Sequence, residues 1–301
     1  MSIVSKIVKR FLLPQHLWQV IKLQRNRKKV ERVYDDAQLK LYAQLLPGDF
    51  LHYGYFENPN VDPRNISLND IYAAQAAYGK QIVEQITDLQ NPVLDIGCGM
   101  GGLIALMEEK GLKTIALTPD KNQVKYVSEK YKNAKLLPCR FEDMPAGDYP
   151  AYFGTVVTSE SLQYLKLDEA LPIVSKILKS GGKWVACDYF KTGVAGEKSG
   201  HNWELFNSKL AAQGFKITYQ RNITPNVLPT IAYAHMWATQ IGMPIKEFIT
   251  GKLQVKAPGV YYALQESLPE IDQKINKNID TIDPVIFSAN KQYFLMVIER
   301  T

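Results

Sequence analysis

The chain of 301 residues predicts an α/β protein on a doubly wound, largely parallel sheet. Two observations carry this. From residue 92 onward, short apolar strand-like runs alternate with helical runs, a pattern that implies parallel strands joined by crossover helices. The first of these apolar runs ends in a glycine-rich loop that opens into a helix.

The elements follow in order. Pro92-Val93-Leu94-Asp95-Ile96 reads as a short buried strand closed by glycines. Leu103 to Lys110 reads as a helix ended at Gly111, Lys113 to Leu117 as a second strand, and Lys121 to Tyr131 as a helix. Lys135 to Leu137 and Thr155 to Thr158 are the third and fourth strands, followed by a helix from Asp168 to Leu178. Gly181-Gly182 is expected to turn into the strand Lys183 to Asp188. A helix over Trp203 to Gly214 and strands over Phe215 to Gln220 and Gln292 to Glu299 bring the sheet to seven strands. An insertion over about 225–288, rich in Pro, Met and aromatics, breaks the alternation; residues 34–91 also stand outside it, as helix with one glycine-containing loop. Both are candidate caps over the carboxyl ends of the strands, where open α/β sheets bind ligands.

Composition narrows the class. With 46% hydrophobic and 22% charged residues the chain is globular, and a disordered chain is excluded. Cys98, Cys139 and Cys187 lie far apart and there are only four histidines, so neither a disulfide scaffold nor a Cys/His zinc spacing is present, and no metal is expected. A reducing, cytoplasmic location fits. No apolar run approaches the ~18 residues of a membrane span. The net charge of +6 is concentrated in residues 1–33, which hold nine Lys/Arg and one acid, Glu31. The rest of the chain is nearly neutral, so a nucleic-acid surface is not expected.

Residues 1–33 form a basic amphipathic extension. Ile3, Val4, Ile7, Val8, Phe11 and Leu12 recur at helical spacing opposite Ser2, Ser5, Lys6, Lys9 and Arg10, and Pro14 ends the pattern. A second helical stretch with Leu17, Trp18, Val20 and Ile21 leads to the basic run Arg25 to Lys29. Charges interrupt the apolar run, against a secretory signal. Two readings stand side by side: peripheral docking on an anionic membrane surface, and packing on the body or on a partner subunit. The division expected is therefore residues 1–33 as extension and 34–301 as one domain.

The glycine loop carries the chemistry. Gly97, Gly99 and Gly102 satisfy the GxGxxG spacing of dinucleotide enzymes, and glycine lets backbone approach a ligand without a Cβ clash. Asp95, two positions earlier, decides against a dinucleotide, because its carboxylate would face pyrophosphate oxygens. It suits a ligand bearing cations, such as the ammonium and sulfonium of S-adenosylmethionine.

On Leu94-Asp95-Ile96-Gly97-Cys98-Gly99-Met100-Gly101 the chain resembles the class I S-adenosylmethionine-dependent methyltransferases. The resemblance implies a Rossmann-like seven-stranded sheet with the last strand antiparallel, and S-adenosylmethionine as cofactor at Asp95, Gly97, Cys98 and Gly99. Ala116-Leu117-Thr118-Pro119-Asp120-Lys121-Asn122-Gln123 looks like a segment of the branch that holds cyclopropane fatty acid synthases and the sterol and tocopherol C-methyltransferases. That likeness sets Thr118, Pro119 and Gln123 against the adenosine, with Asp120 as ligand contact or helix N-cap. In Cys139-Arg140-Phe141-Glu142-Asp143-Met144-Pro145 it implies Phe141 covering an adenine face and Glu142 accepting from the exocyclic amine, while Arg140 replaces the usual acid. Leu51-His52-Tyr53-Gly54-Tyr55-Phe56 resembles a loop that closes on the cofactor's methionine part, which makes Tyr53 and Tyr55 candidate lid residues.

Thr158-Ser159-Glu160-Ser161-Leu162-Gln163-Tyr164 follows the fourth strand and is expected to line the active site, with Ser159 at the cofactor. Cyclopropane synthases carry a Glu-His pair where Gln163-Tyr164 stands, a departure that favours ordinary methyl transfer. A general base is needed only if the acceptor holds a proton at the reacting pH. The candidates are His52, Tyr164, Glu160, His201 and His235, with His235 favoured by its aromatic surroundings in Tyr233-Ala234-His235-Met236-Trp237. The expected function is methyl transfer to a small, apolar acceptor on carbon, nitrogen or oxygen. The alternatives are a cyclopropane-forming enzyme and a non-catalytic binding subunit of the same fold.

Overall fold

The computed structural model describes residues 13–25, 36–45, 48–193 and 199–300. The amphipathic pattern over residues 3–12 and residues 26–29 of the basic run lie outside them. Helices α1 (Pro14–Arg25) and α2 (Asp36–Leu45) precede a loop over residues 48–56 and helix α3 (Leu68–Glu84). A capping box starts α3: Asp70 N–H donates to Ser67 Oγ at 3.2 Å and Ser67 N–H to the Asp70 carboxylate at 2.8 Å.

The alternating region then runs β1 (Val93–Ile96), α4 (Gly102–Glu109), β2 (Thr114–Leu117), α5 (Lys121–Lys130), β3 (Lys135–Leu137), β4 (Phe153–Ser159), α6 (Leu167–Ile177) and β5 (Leu178–Lys191). A two-residue strand β6 (His201–Asn202) leads into α7 (Trp203–Ala212) and β7 (Phe215–Asn222). Between β7 and the last strand lie α8 (Thr224–Trp237), a π-helical turn (Ala238–Gly242), α9 (Met243–Lys256), α10 (Pro258–Leu264), α11 (Leu268–Thr281) and α12 (Pro284–Asn290). Strand β8 (Lys291–Arg300) closes the sheet.

The strand order is β3-β2-β1-β4-β5-β8-β7, with β6 paired to β5. Strands β1 to β5 are parallel, and β8 runs antiparallel between β5 and β7. The chain winds outward in both directions from the β1/β4 boundary. This is the switch point at which crossover helices lie on opposite faces and leave a crevice at the strand ends. Among the described residues, no helix is long and apolar enough to cross a membrane.

Two details differ from the sequence reading. Gly181-Gly182 does not precede β5 but lies inside it: β5 begins at Leu178, directly after α6, and its register on β4 jumps from Phe153↔Leu178 to Thr155↔Lys183. Gly181, at φ 73°, supplies the conformation this bulge needs. Strand β6 had no signal, because two residues carry no periodicity.

Central strands buried on both faces read as continuous apolar runs. All four residues of β1 are buried, and successive side chains go to opposite faces. Leu94 and Ile96 join the cluster under α6 and α7 with Val156, Trp184 and Phe206, whereas Val93 joins the cluster under α3 and α8 with Ile82, Val157 and Ile231. Trp184 on β5 is fully buried, and its indole N–H donates to Thr158 Oγ1 at 3.0 Å. Trp184→Ala should therefore lower unfolding free energy by about 3–5 kcal/mol, from lost burial and the cavity left behind. Urea titration followed by circular dichroism measures this, and a loss below ~1 kcal/mol would contradict the packing described.

Candidate active site

The carboxyl ends of β1, β2 and β4 and the loop over residues 48–52 surround a cavity of about 1110 Å³. Small-molecule sites span roughly 300–1,000 Å³. Of the residues the sequence singled out, His52, Asp95, Gly97, Cys98, Gly99, Thr118, Pro119, Gln123, Phe141, Glu142, Ser159, Glu160 and Tyr164 all line it. Tyr53, His201 and His235 do not.

Asp95 stands third in the wholly buried strand β1. Its Oδ2 is buried and accepts no hydrogen bond in the protein. Burial pushes its carboxyl up to about 7, since a charge removed from water is disfavoured unless something pairs with it. The turn that follows needs left-handed backbone, with Gly97 at φ 78° and Gly99 at φ 57°. A Cβ on Gly97 would also lie 2.5 Å from Ser161 Cβ. Ser161 is held there by its hydroxyl, which donates to Ile96 O at 2.5 Å, so β1 and the segment after β4 meet at van der Waals distance.

On the β2 side, Thr118 donates to Gln123 Oε1 at 2.7 Å, within a buried pair. Asp120 caps α5, accepting from Asn122 N–H at 2.9 Å and Gln123 N–H at 3.0 Å. Oδ1 of Asp120 is thereby the N-cap of α5, and the residue also lines the cavity. Glu142 accepts from Lys166 N–H at 2.9 Å and faces Arg140 Nε at 3.6 Å. Phe141 lines the cavity while its ring, 1% exposed, packs with Leu94 and Ile96 in the core cluster.

Glu160 joins three other segments at the crevice. It sits at φ 49°, its backbone N–H donates to Cys187 O at 2.9 Å, and its Oε1 accepts from Tyr53 N–H at 2.8 Å and Tyr293 O–H at 2.7 Å. Burial raises its carboxyl to about 7, against the lowering effect of these two donors. Behind it the Tyr293 and Tyr78 hydroxyl oxygens lie 2.8 Å apart, and Tyr78 O–H donates to Cys187 O at 3.2 Å. Asp188, at the same end of β5, accepts from Gln163 N–H at 3.1 Å and Tyr189 N–H at 2.8 Å. Burial, with Glu160 nearby, drives its carboxyl well above the usual range. Like charges this close resist simultaneous ionisation.

The histidines separate clearly. His52 Nδ1 lies 2.8 Å from Tyr53 O, and because a carbonyl only accepts, Nδ1 carries the proton. Nε2 is then a buried lone pair without a partner in the protein. Burial lowers the His52 pKa to about 4, so the ring is neutral near pH 7. It is wedged 4.1 Å from the Tyr78 ring and 4.9 Å from that of Phe50, while its carbonyl accepts from Gln75 Nε2 at 2.8 Å. His201 faces Leu162 O at 3.0 Å. His235 faces Asp283 at 3.6 Å, on α8 and away from the cavity, so its aromatic neighbours pointed to a packing position rather than to the crevice.

Tyr53 acts through its backbone. Its ring packs edge-on at 6.3 Å from both Phe287 and Tyr293 instead of covering the cavity. Tyr55 is buried with the Arg221 guanidinium 5.2 Å over its ring. The loop lies close on α3 because Gly54 has no side chain: a Cβ there would be 2.6 Å from that of Ala74.

Asp49, Tyr78, Asp188 and Tyr293 escaped the sequence reading. Asp188 closes the apolar run Trp184-Val185-Ala186-Cys187 much as Asp95 interrupts β1, so a signal for it existed. Asp49 accepts from Tyr126 O–H at 2.8 Å and Tyr131 O–H at 2.6 Å and meets Lys130 at 2.5 Å, a latch between the loop and α5 that only the tertiary structure assembles.

A family profile described as a methyltransferase domain matches residues 94–186. The sterol 4-C-methyltransferase of Caenorhabditis elegans is 31% identical over 106 residues, covering 33% of this chain and 31% of the relative. The (S)-tetrahydroprotoberberine N-methyltransferase of Eschscholzia californica is 25% identical over 165 residues, covering 53% of this chain and 43% of the relative. The chain thus spans less than half the length of these curated relatives. Among solved structures, a geranyl diphosphate methyltransferase in complex with GPP and sinefungin superposes with a TM-score of 0.65 at 15% identity, over 87% of this chain and 93% of that one. The fold is the Rossmann-like fold of class I methyltransferases.

The buried Asp95 has a consequence for pH. A carboxyl raised in the folded state to about 7 contributes stability while protonated and loses it as pH climbs from its unfolded value through 7. Relative to Asp95→Asn, the ligand-free protein should therefore weaken between pH about 4 and about 7. The loss should reach about 4 kcal/mol, at about 1.36 kcal/mol for each pH unit separating the folded from the unfolded pKa. Urea melts of both proteins across that range measure the difference, and parallel stability curves would rule out a strained carboxylate.

Proposed function

We propose that the protein transfers a methyl group from S-adenosylmethionine to a small, lipophilic acceptor. The observation that carries this reading is the unpartnered, buried Oδ2 of Asp95 beside the left-handed turn at Gly97 and Gly99. An acidic oxygen in that position lacks a cation, and the ligand expected there brings one. In this reading Asp95, Gly97, Cys98 and Gly99 hold the amino-acid part of S-adenosylmethionine. Thr118, Pro119 and Gln123 take the adenosine. Glu142 and the backbone of Phe141 bound the adenine, and Ser159, whose buried Oγ has no partner in the protein, supplies a further polar contact. The lone pair of His52 Nε2 receives a ligand N–H or O–H.

When bound, S-adenosylmethionine supplies a methyl group already activated by its sulfonium. What remains for the protein is to align the acceptor and exclude water. Where the acceptor holds a proton, the Glu160 carboxylate would take it as the methyl group is delivered. Glu160 fits this role better than the other candidates, because a base works best with a pKa near the working pH. His52, at about 4, is too weakly basic. Tyr164 stands at the exposed rim, and His235 is remote. A small organic acceptor is supported by the relatives named for sterol, tetrahydroprotoberberine and geranyl diphosphate substrates.

Calorimetric titration with S-adenosylhomocysteine should show micromolar binding to the native protein and at least a hundredfold loss in Gly97→Ala. Absence of binding to the native protein would remove the cofactor from the proposal. With an acceptor in hand, Glu160→Gln should cut kcat by about 10²–10⁴, the usual worth of a general base, and leave S-adenosylhomocysteine affinity within threefold. The native kcat should rise through pH about 7 and level off as Glu160 ionises. A flat profile, or a variant with native turnover, would transfer the role elsewhere.

A further inference from the structure

Helices α9, α10 and α11 contain no buried residue. They lie in a segment, Trp237 to Ile286, that carries a dense set of exposed large apolar side chains. The arrangement in α9 is ordered. At 100° per residue, Met243, Lys246, Thr250 and Leu253 share the half-buried side. Ile245, Phe248, Ile249, Lys252, Val255 and Lys256 fall within an arc of about 120° on the solvent side. Phe248, Ile249 and Val255 are 64%, 58% and 75% exposed. Lys252 holds its ammonium 5.4 Å from the centre of the Phe248 ring, a cation carried on an apolar stem within the stripe. Glu247, the acid of this helix, lies on the far side of the stripe.

We propose that this stripe of α9 docks the protein on an anionic lipid surface. Phe248, Ile249 and Val255 enter the interface, and Lys252 and Lys256 meet the head groups. Charge selects this occupant over a second copy of the chain. A symmetric pair of stripes would bring Lys252 and Lys256 of both copies together with no acid on the stripe to balance them, whereas anionic lipids supply the missing charge. Lys252 and Lys256 stand within the apolar arc rather than at its border, so their stems lie along apolar surface while the ammonium groups reach outward, as snorkelling cations do in helices that lie in a membrane interface. Helix α1 repeats the pattern, with Leu17, Trp18 and Ile21 exposed and Lys22 5.1 Å over the Trp18 ring. The inference deepens the proposed function, since it names the surface at which an apolar acceptor would be met.

Sedimentation of the full chain with vesicles of 30% phosphatidylserine in phosphatidylcholine, and of phosphatidylcholine alone, tests it. The native protein should partition at least tenfold better onto the anionic vesicles, and raised salt should weaken that binding. Phe248→Glu with Ile249→Glu should lower partitioning at least tenfold, and Lys252→Glu with Lys256→Glu should remove the preference for anionic lipid. A loss smaller than threefold in the Phe248/Ile249 variant would overturn the proposal. So would a native dimer in gel filtration that this variant converts to monomer. All four positions are exposed, and S-adenosylhomocysteine binding is read in parallel. Native ligand binding with lost partitioning supports the docking face, while absence of ligand binding in every protein tells against the methyltransferase reading alone.

Discussion

The carboxylate of Glu160 is the joint on which the site depends. It receives a backbone N–H from the loop before α3 and a phenol from β8, while its own backbone is tied to β5. Three segments that the sequence keeps far apart are thereby fixed to the end of β4. The left-handed conformation at Glu160 is part of the arrangement, since it turns the chain away from the sheet and leaves the carboxylate at the cavity wall. Hydrogen bonds to a charged group are worth about 1.5–3 kcal/mol each. Two of them do not fully offset burial, and the carboxyl stays poised near 7.

The same tension extends along the whole crevice. Asp95, Glu160 and Asp188 stand at the carboxyl ends of adjacent strands, all with raised pKa values. A concentration of buried acids is unfavourable for folding unless something positive joins it. Sites that must receive charge and move protons are where such unfavourable placements persist. The parallel sheet makes the concentration possible, because the strand ends converge at the switch point and the crossover helices leave them open.

The sequence located cavity-lining residues where position is carried by the strand and its adjoining loop. Asp95 interrupts an apolar run and Gly97 must turn, so both are legible in a few consecutive residues. It says less where position depends on distant partners. Phe141 both lines the cavity and packs into the core, because the residues after β3 pack under α6. His235 drew attention through its aromatic neighbours, but those neighbours pack around α8 rather than line the crevice. Tyr53 was expected to cover the ligand, and instead its backbone holds Glu160 while its ring fills space against Phe287 and Tyr293.

The sequence by itself determined the alternation of elements, the parallel sheet, the glycine turn and the acidic strand end. These follow from hydrophobic period and from backbone conformations only glycine accepts readily, which are local properties. Tertiary structure alone decided which acid is poised near neutrality, which histidine keeps a free lone pair, and which face of the helical insertion meets solvent. Each of these depends on desolvation and on donors brought from far along the chain, and no short stretch of sequence contains them.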